Sequence, residues 1–168
     1  WKLDKKGRIA MISVVIPMYN SKDTIFDSID SIINQSRYDL IREIIVVDDG
    51  STDHTWKIVE WYTRNYTNVV GIYQENSGTT AARNTGIEHA SGEYIGFMDN
   101  DDMIRPEMIE KLYNSAKKNG CDIAVTSVYM VTNTGYVDFV QYGMNENEAM
   151  MAEEFVRNHY MKGDELGC

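Results

Sequence analysis

Four short apolar runs recur along the chain, each followed by a polar loop and then by apolar residues at helical spacing. Ile12-Ser13-Val14-Val15-Ile16-Pro17 is β-branched and closed by a proline, which has no N–H for a sheet ladder, so it predicts a buried strand with a definite end. Met18-Tyr19-Asn20-Ser21 follows as a loop, and Ser21 or Asp23 is placed to cap a helix with Ile25, Ile29, Ile32 and Ile33 on one face. Residues 43–47 predict a second strand, which ends at Asp48-Asp49-Gly50-Ser51-Thr52-Asp53. A helix carrying Trp56, Ile58, Val59 and Tyr62 begins after a Thr52 or Asp53 cap. Residues 69–73 give a third, short strand nearer an edge, and residues 80–90 a helix closed by Ser91-Gly92. The fourth run, Tyr94-Ile95-Gly96-Phe97-Met98, predicts another buried strand, ending at Asp99-Asn100-Asp101-Asp102.

Beyond it, residues 106–119 read as a helix with Met108, Ile109, Leu112 and Ala116 on its buried side and Gly120 as its stop. The stretch 122–131, turned back through Asn133-Thr134-Gly135 into residues 136–140, predicts a hairpin, and residues 146–162 a last helix. Residues 1–11 are charged and unpatterned, a linker or the remnant of something upstream, which leaves 12–168 as one domain. Strand and helix alternating at intervals of roughly 25 to 30 residues imply an α/β fold, with a mostly parallel sheet covered by helices on both faces.

Charge narrows the partners. A net charge of -10 repels a nucleic-acid backbone or an anionic membrane, so an anionic ligand needs a cation or local donors. No apolar run approaches the ~20 residues that cross a bilayer, and the expectation is a cytoplasmic protein, at most peripheral at the inner membrane face. Cys121 and Cys168 form neither a disulfide framework nor a zinc motif, and Cys121 reads as a small core residue. His54, His89 and His159 are not spaced as a cluster. There is no Gly-x-Gly-x-x-Gly after the first strand, no P-loop, and no EF-hand glycine and distal glutamate.

Candidate chemistry lies where the strands end. In parallel α/β sheets ligands bind beyond the carboxyl ends of the strands, and three such ends carry Pro17-Met18-Tyr19-Asn20, Asp48-Asp49-Gly50-Ser51 and Asp99-Asn100-Asp101-Asp102. Tyr19 offers a face on which a base can stack, and Asp49 an acceptor for a pyrimidine N–H or a ribose hydroxyl. Asp99 and Asp101 supply hard oxygens for Mg²⁺ or Mn²⁺, which would neutralise a diphosphate. Each residue also has a plainer role: Tyr19 packing on the sheet end, Asp48 and Asp49 shaping a turn, the last acids starting a helix. Arg83 either reaches phosphates or offsets nearby carboxylates.

These four segments, Ser13 to Asn20, Ile45 to Asp53, Ala81-Ala82-Arg83-Asn84-Thr85-Gly86 and Gly92 to Asp102, resemble in order and spacing the family-2 glycosyltransferases of the GT-A fold. The resemblance covers about residues 12 to 120. It implies a single Rossmann-like nucleotide-sugar-binding domain with a C-terminal hairpin and helix. The implied reaction is inverting transfer from a nucleotide-diphosphate sugar, usually a UDP-sugar, to a glycan or other hydroxyl acceptor. By the same resemblance Pro17, Tyr19 and Asp49 surround the base with Asp48 close by. Asn20, Arg83, Asn84 and Asn100 adjoin the donor, and Asp99 and Asp101 hold the Mn²⁺ or Mg²⁺, Asp101 most directly. The family's general base is not identifiable: Asp164 and Glu165 are weak candidates, and the base is expected beyond Cys168. A non-catalytic sugar-nucleotide-binding module is therefore an alternative. A haloacid-dehalogenase-like phosphatase is another, although it needs its Asp-x-Asp on the first strand and a downstream lysine.

Overall fold

In the computed structural model the described residues are 12–126, 128–131 and 137–140. The expectations for residues 1–11, the turn at 133–135, the last helix, His159, Asp164 and Glu165 lie outside them. The chain divides into two units, residues 1–108 and 109–168.

The first unit is built on four parallel strands, β1 (Ile12–Met18), β2 (Ile41–Asp49), β3 (Val69–Gln74) and β4 (Tyr94–Phe97), in the order β3-β2-β1-β4. Three helices intervene: α1 (Ile25–Ile33), α2 (Thr55–Asn65) and α3 (Thr79–His89). A 3-10 turn at Tyr38–Leu40 leads into β2. The strands β1 and β2 pair along their length, Val14 beside Ile44 and Pro17 beside Val47, and every residue of β1 is buried. Burial on both faces is why these runs are continuously apolar, each buried isoleucine or valine contributing ~1.5–3 kcal/mol.

Alternation sorts the faces. Val15, Ile45 and Val47 form one core with Ala82 of α3, flanked by Ile72. A Cβ at Gly86 would overlap the side chain of Val15, so glycine lets α3 lie close on β1. Gly71, on the opposite face, sits under Val59, Thr63 and Trp56 of α2. Helix α2 packs in turn on α1, where Tyr62 stacks near Phe26 and its hydroxyl donates to Asp30 at 2.7 Å. Burial, then the bond to Asp30, push the Tyr62 phenol well above its ordinary range.

Several expectations need correction. The fourth run is not a buried strand: β4 is an edge among the described strands and alternates between half-buried and exposed, with Phe97 51% accessible. Neither Ser21 nor Asp23 caps α1 through its side chain; the Ser21 carbonyl accepts the N–H groups of Thr24 and Ile25 instead. Ile33, Trp56 and Ile58 are only half-buried, and the buried face of α1 includes Ser28. Asp53 does act at the start of α2, accepting the Thr55 N–H at 2.8 Å as well as its hydroxyl. Burial works against the Asp53 carboxylate, but the Thr55 hydroxyl and N–H, with the Lys22 N–H and charge, outweigh it and hold its pKa below the ordinary range.

In the second unit, α4 (Met108–Asn119) starts two residues later than the proline implied and buries Ile109 and Ala116, with Met108 and Leu112 half-buried. The predicted hairpin is present as β5 (Val128–Val131) paired antiparallel with β6 (Val137–Val140), shorter than the apolar stretch. Cys121 is half-buried rather than a core residue. Among the described residues no helix is long and apolar enough to cross a membrane.

Candidate active site

Strand order places the site. Successive strands step outward from β1 to β3, and the chain then returns to put β4 on the other side of β1. Crossovers that diverge in this way leave a crevice at the strand tips, the usual ligand position in open α/β sheets. A cleft of about 190 Å³ lies there, lined by Pro17, Met18, Tyr19, Asp49, Thr79, Ala82 and Asn100. That volume suits one ring-sized group and falls short of the ~300–1,000 Å³ of sites that enclose a whole drug-sized ligand.

The first wall is the end of β1. Tyr19 is 49% exposed, and the following Asn20 adopts a left-handed φ of 50°, a conformation asparagine tolerates better than most residues. Three bonds hold Asn20 there: its N–H donates to the Ser51 hydroxyl at 2.8 Å, and its side-chain oxygen accepts the Thr52 N–H at 2.9 Å and the Thr52 hydroxyl at 3.3 Å. The Ser21 N–H donates to the Thr55 hydroxyl at 2.8 Å. The β1 loop is thus laced to the β2 loop, leaving the Tyr19 ring at the cleft.

The second wall separates the two neighbouring aspartates, because consecutive strand residues face opposite ways. Asp49 lines the cleft. Its Oδ1 accepts the Gln74 amide at 2.7 Å and the Ser77 N–H at 2.9 Å, and its Oδ2 the Gly78 N–H at 2.7 Å. This carboxylate therefore ties β2 to β3 and to the entry of α3, where the helix dipole favours it. Gly50, at φ 77°, makes the turn close enough to Asn76 that a Cβ would clash. Asp48 is fully buried and does not line the cleft; its Oδ1 accepts the Ser51 N–H at 2.9 Å, while Oδ2 has no partner among the described residues. The expected pair beside a base thus splits into one cleft residue and one interior residue.

The third wall is the tip of β4. The Met98 N–H donates to the Val15 carbonyl at 3.1 Å and the Asn100 amide to the Pro17 carbonyl at 3.2 Å, so Asn100 reaches the cleft. Asp99 and Asp101 are exposed, and Asp99 pairs with the Arg83 guanidinium at 2.6 Å. Arg83 meets the plainer expectation, offsetting a carboxylate, at a distance that also puts it beside the acidic turn. Asn84 is exposed on α3 and is not among the residues lining the cleft. Burial, then the charges of Asp101 and Asp99, raise the Asp102 carboxyl above its ordinary range. Among the described residues no group of three His, Cys, Asp or Glu side chains forms a closed cation cage.

Met18 and Ala82, which lie in segments named above but were given no role, line the cleft together with Thr79, expected only as part of a turn. A small residue one turn apart from a threonine on α3 is a weak signal, shared with any packed helix.

Comparison with known proteins agrees with this geometry. The profile described as Glycosyl transferase family 2 matches residues 13–166. The chain is 40% identical over 121 residues to the uncharacterized glycosyltransferase EpsJ of Bacillus subtilis, covering 72% of this chain and 35% of that protein. It is 42% identical over 126 residues to the poly(ribitol-phosphate) beta-glucosyltransferase of Bacillus spizizenii, covering 74% and 20%. The crystal structure of S. aureus TarS 1-349 in complex with UDP-GlcNAc superposes with a TM-score of 0.60 at 34% identity, covering 66% of this chain and 32% of that one. The chain thus spans between about a sixth and a half of the length of the curated relatives it matches.

Proposed function

The chain belongs to glycosyl transferase family 2, and on that footing we propose that the protein transfers a sugar from a UDP-sugar to an acceptor hydroxyl with inversion, in polysaccharide or glycan synthesis. The observation that carries the reading is the cleft at the diverging tips of β1 and β4, where Tyr19, Asp49 and Asn100 meet beside an acidic turn. TarS having been solved with UDP and with UDP-GlcNAc supports a UDP-linked donor.

The residues divide the work by chemistry. The exposed Tyr19 ring stacks on the base, a contact contributing ~1–3 kcal/mol. Asp49 has three donors on its two oxygens, and a carboxylate accepts about four, which leaves room on Oδ2 for a pyrimidine N–H. Arg83 and Asp99 are both substantially exposed, so their ion pair is worth ~0–1 kcal/mol and the guanidinium can exchange that partner for a diphosphate.

The acidic turn suits a hard divalent cation: Asp99 and Asp101 are exposed carboxylates two residues apart, the oxygen donors such an ion takes. Two carboxylates without a closed cage leave the other positions to phosphate and water, the habit of Mg²⁺. Bound there, Mn²⁺ or Mg²⁺ would supply Lewis-acid stabilisation of the departing diphosphate. In the transfer the acceptor oxygen bonds to the anomeric carbon from the face opposite the diphosphate, the sugar–phosphate bond breaks, and a general base takes the hydroxyl proton. We place that base beyond Cys168; Asp164 and Glu165, the weaker candidates, lie outside the described residues.

Calorimetry with UDP and UDP-GlcNAc tests the reading. Tyr19→Ala is expected to weaken both ligands alike by about tenfold. A loss confined to the sugar-bearing ligand would remove Tyr19 from the base. Donor binding without any release of UDP from the full protein would favour the binding-module alternative.

A further inference from the structure

The acidic turn is closed by the Asp102 N–H, which donates to the Asp99 carbonyl at 3.2 Å, and three carboxylates crowd within residues 99–102. Beyond that bond and the ties to β1, its backbone is held from α1 and the residues just past it. The buried Ser28 hydroxyl lies 2.8 Å from the carbonyl oxygens of both Asn100 and Asp102. One turn on, the Ser31 hydroxyl donates to the Ser28 carbonyl at 2.8 Å and accepts the Ile104 N–H at 3.2 Å. Just past the helix, the buried Gln35 amide donates to the Arg105 carbonyl at 2.8 Å, and the Ser36 N–H to the Pro106 carbonyl at 2.8 Å. Ser28 and Ser31 lie one turn apart on α1, and Gln35 and Ser36 follow just past its end, so this side of the chain presents a row of polar groups to residues 100–106.

We propose that this row is a clamp that holds the acidic turn in one shape against the mutual repulsion of its carboxylates, with Ser28 as the positioning residue at its centre. The inference rests on the reading that the turn receives a cation and a diphosphate. A carboxylate pair binds a divalent ion well only if its backbone is already in place, because otherwise the ion must supply the ordering. Ser28 sits inside an isoleucine stripe where an apolar residue would pack as well. The hydroxyl there is explained by the two carbonyls: its one hydrogen is shared between them, and alanine would take that donor away from both.

The test compares wild type with Ser28→Ala, Ser31→Ala and Ser31→Thr, in the full chain. Amide hydrogen exchange at Asp102 and Ile104 is followed alongside UDP affinity with and without Mn²⁺. Ser28→Ala is expected to speed exchange at both amides and to cut the Mn²⁺-dependent gain in UDP affinity by about tenfold, the lower end of losses seen when a ligand-orienting partner is removed. Ser31→Ala does the same at Ile104 more weakly, and Ser31→Thr, which keeps the hydroxyl, restores wild-type values. If Ser28→Ala fails to fold, the Ser31 pair decides. Wild-type exchange in the alanine variants overturns the clamp, as does faster exchange with an undiminished Mn²⁺ gain. A wild-type chain whose UDP affinity ignores Mn²⁺ counts against the cation reading, and the exchange rates then decide the clamp alone.

Discussion

The tips of β2 and β4 both end in neighbouring aspartates, and the fold treats them in opposite ways. At β2 the carboxylates are buried and occupied by the chain: Asp48 by the Ser51 N–H, Asp49 by Gln74, Ser77 and Gly78. At β4 they stand in solvent, with Asp99 held by a single exchangeable arginine and Asp101 exposed beside it. Donors converging on a buried carboxylate make it part of the architecture, whereas exposed carboxylates are screened by water and stay open to a partner. The difference separates a carboxylate that shapes the cleft from carboxylates that are free to take a ligand.

The largest expected effect is therefore at β2. Asp49→Ala leaves a side-chain amide and two N–H groups without their acceptor, and is expected to cost ~3 kcal/mol or more of stability along with UDP binding. Chemical denaturation of the variant checks it; a wild-type midpoint would mean that the β2 tip is held by something else. At β4 the same class of change should spare the fold. Asp101→Asn, at an exposed position, is expected to shift stability by less than about 0.5 kcal/mol and to remove the Mn²⁺-dependent part of donor binding in calorimetry. Retained metal dependence would take Asp101 out of the site and erase the contrast.

The smallest effect serves as a control at the opposite end of the sheet. Burial works to raise the Glu43 carboxyl, but the Ser13 hydroxyl and the Ser91 N–H and hydroxyl together outweigh it and hold its pKa below the ordinary glutamate range. A depressed folded-state pKa contributes stability that is complete above the unfolded value and is lost as pH falls through the folded one. The melting temperature should thus drop on acidification below the ordinary glutamate range, and Glu43→Gln should flatten part of that drop without changing UDP affinity at neutral pH. An unchanged acid profile would show that these bonds carry no linkage.

Much of the cleft was readable from local pattern. A β-branched run closed at Pro17, apolar strands ended by acids, and the strand–helix rhythm place Tyr19, Asp49 and Asn100 at one edge before any coordinates exist, because parallel connectivity puts every strand end on the same side. The fate of each acid was not readable in that way. Asp48 and Asp49 differ only by one step of the pleat, Tyr94–Phe97 looks as apolar as the interior strands although it is an edge here, and Ser28 is one polar letter in an isoleucine helix.

Which residues become strands, which become helices, and where polar chemistry collects follow from short-range rules of side-chain period, capping and turn preference, and these can be read along the chain. Whether an aspartate is buried under amide donors or left in solvent depends on groups brought together from 25 to 29 residues away for Asp49. For the turn after β4 the distance grows to 70 or more, since Ser28 of α1 and Gln35 just past it meet residues 100–105. Hydrogen bonding and repulsion act over a few ångströms of space, and only the folded sheet, with β4 returned beside β1, sets which groups share that space.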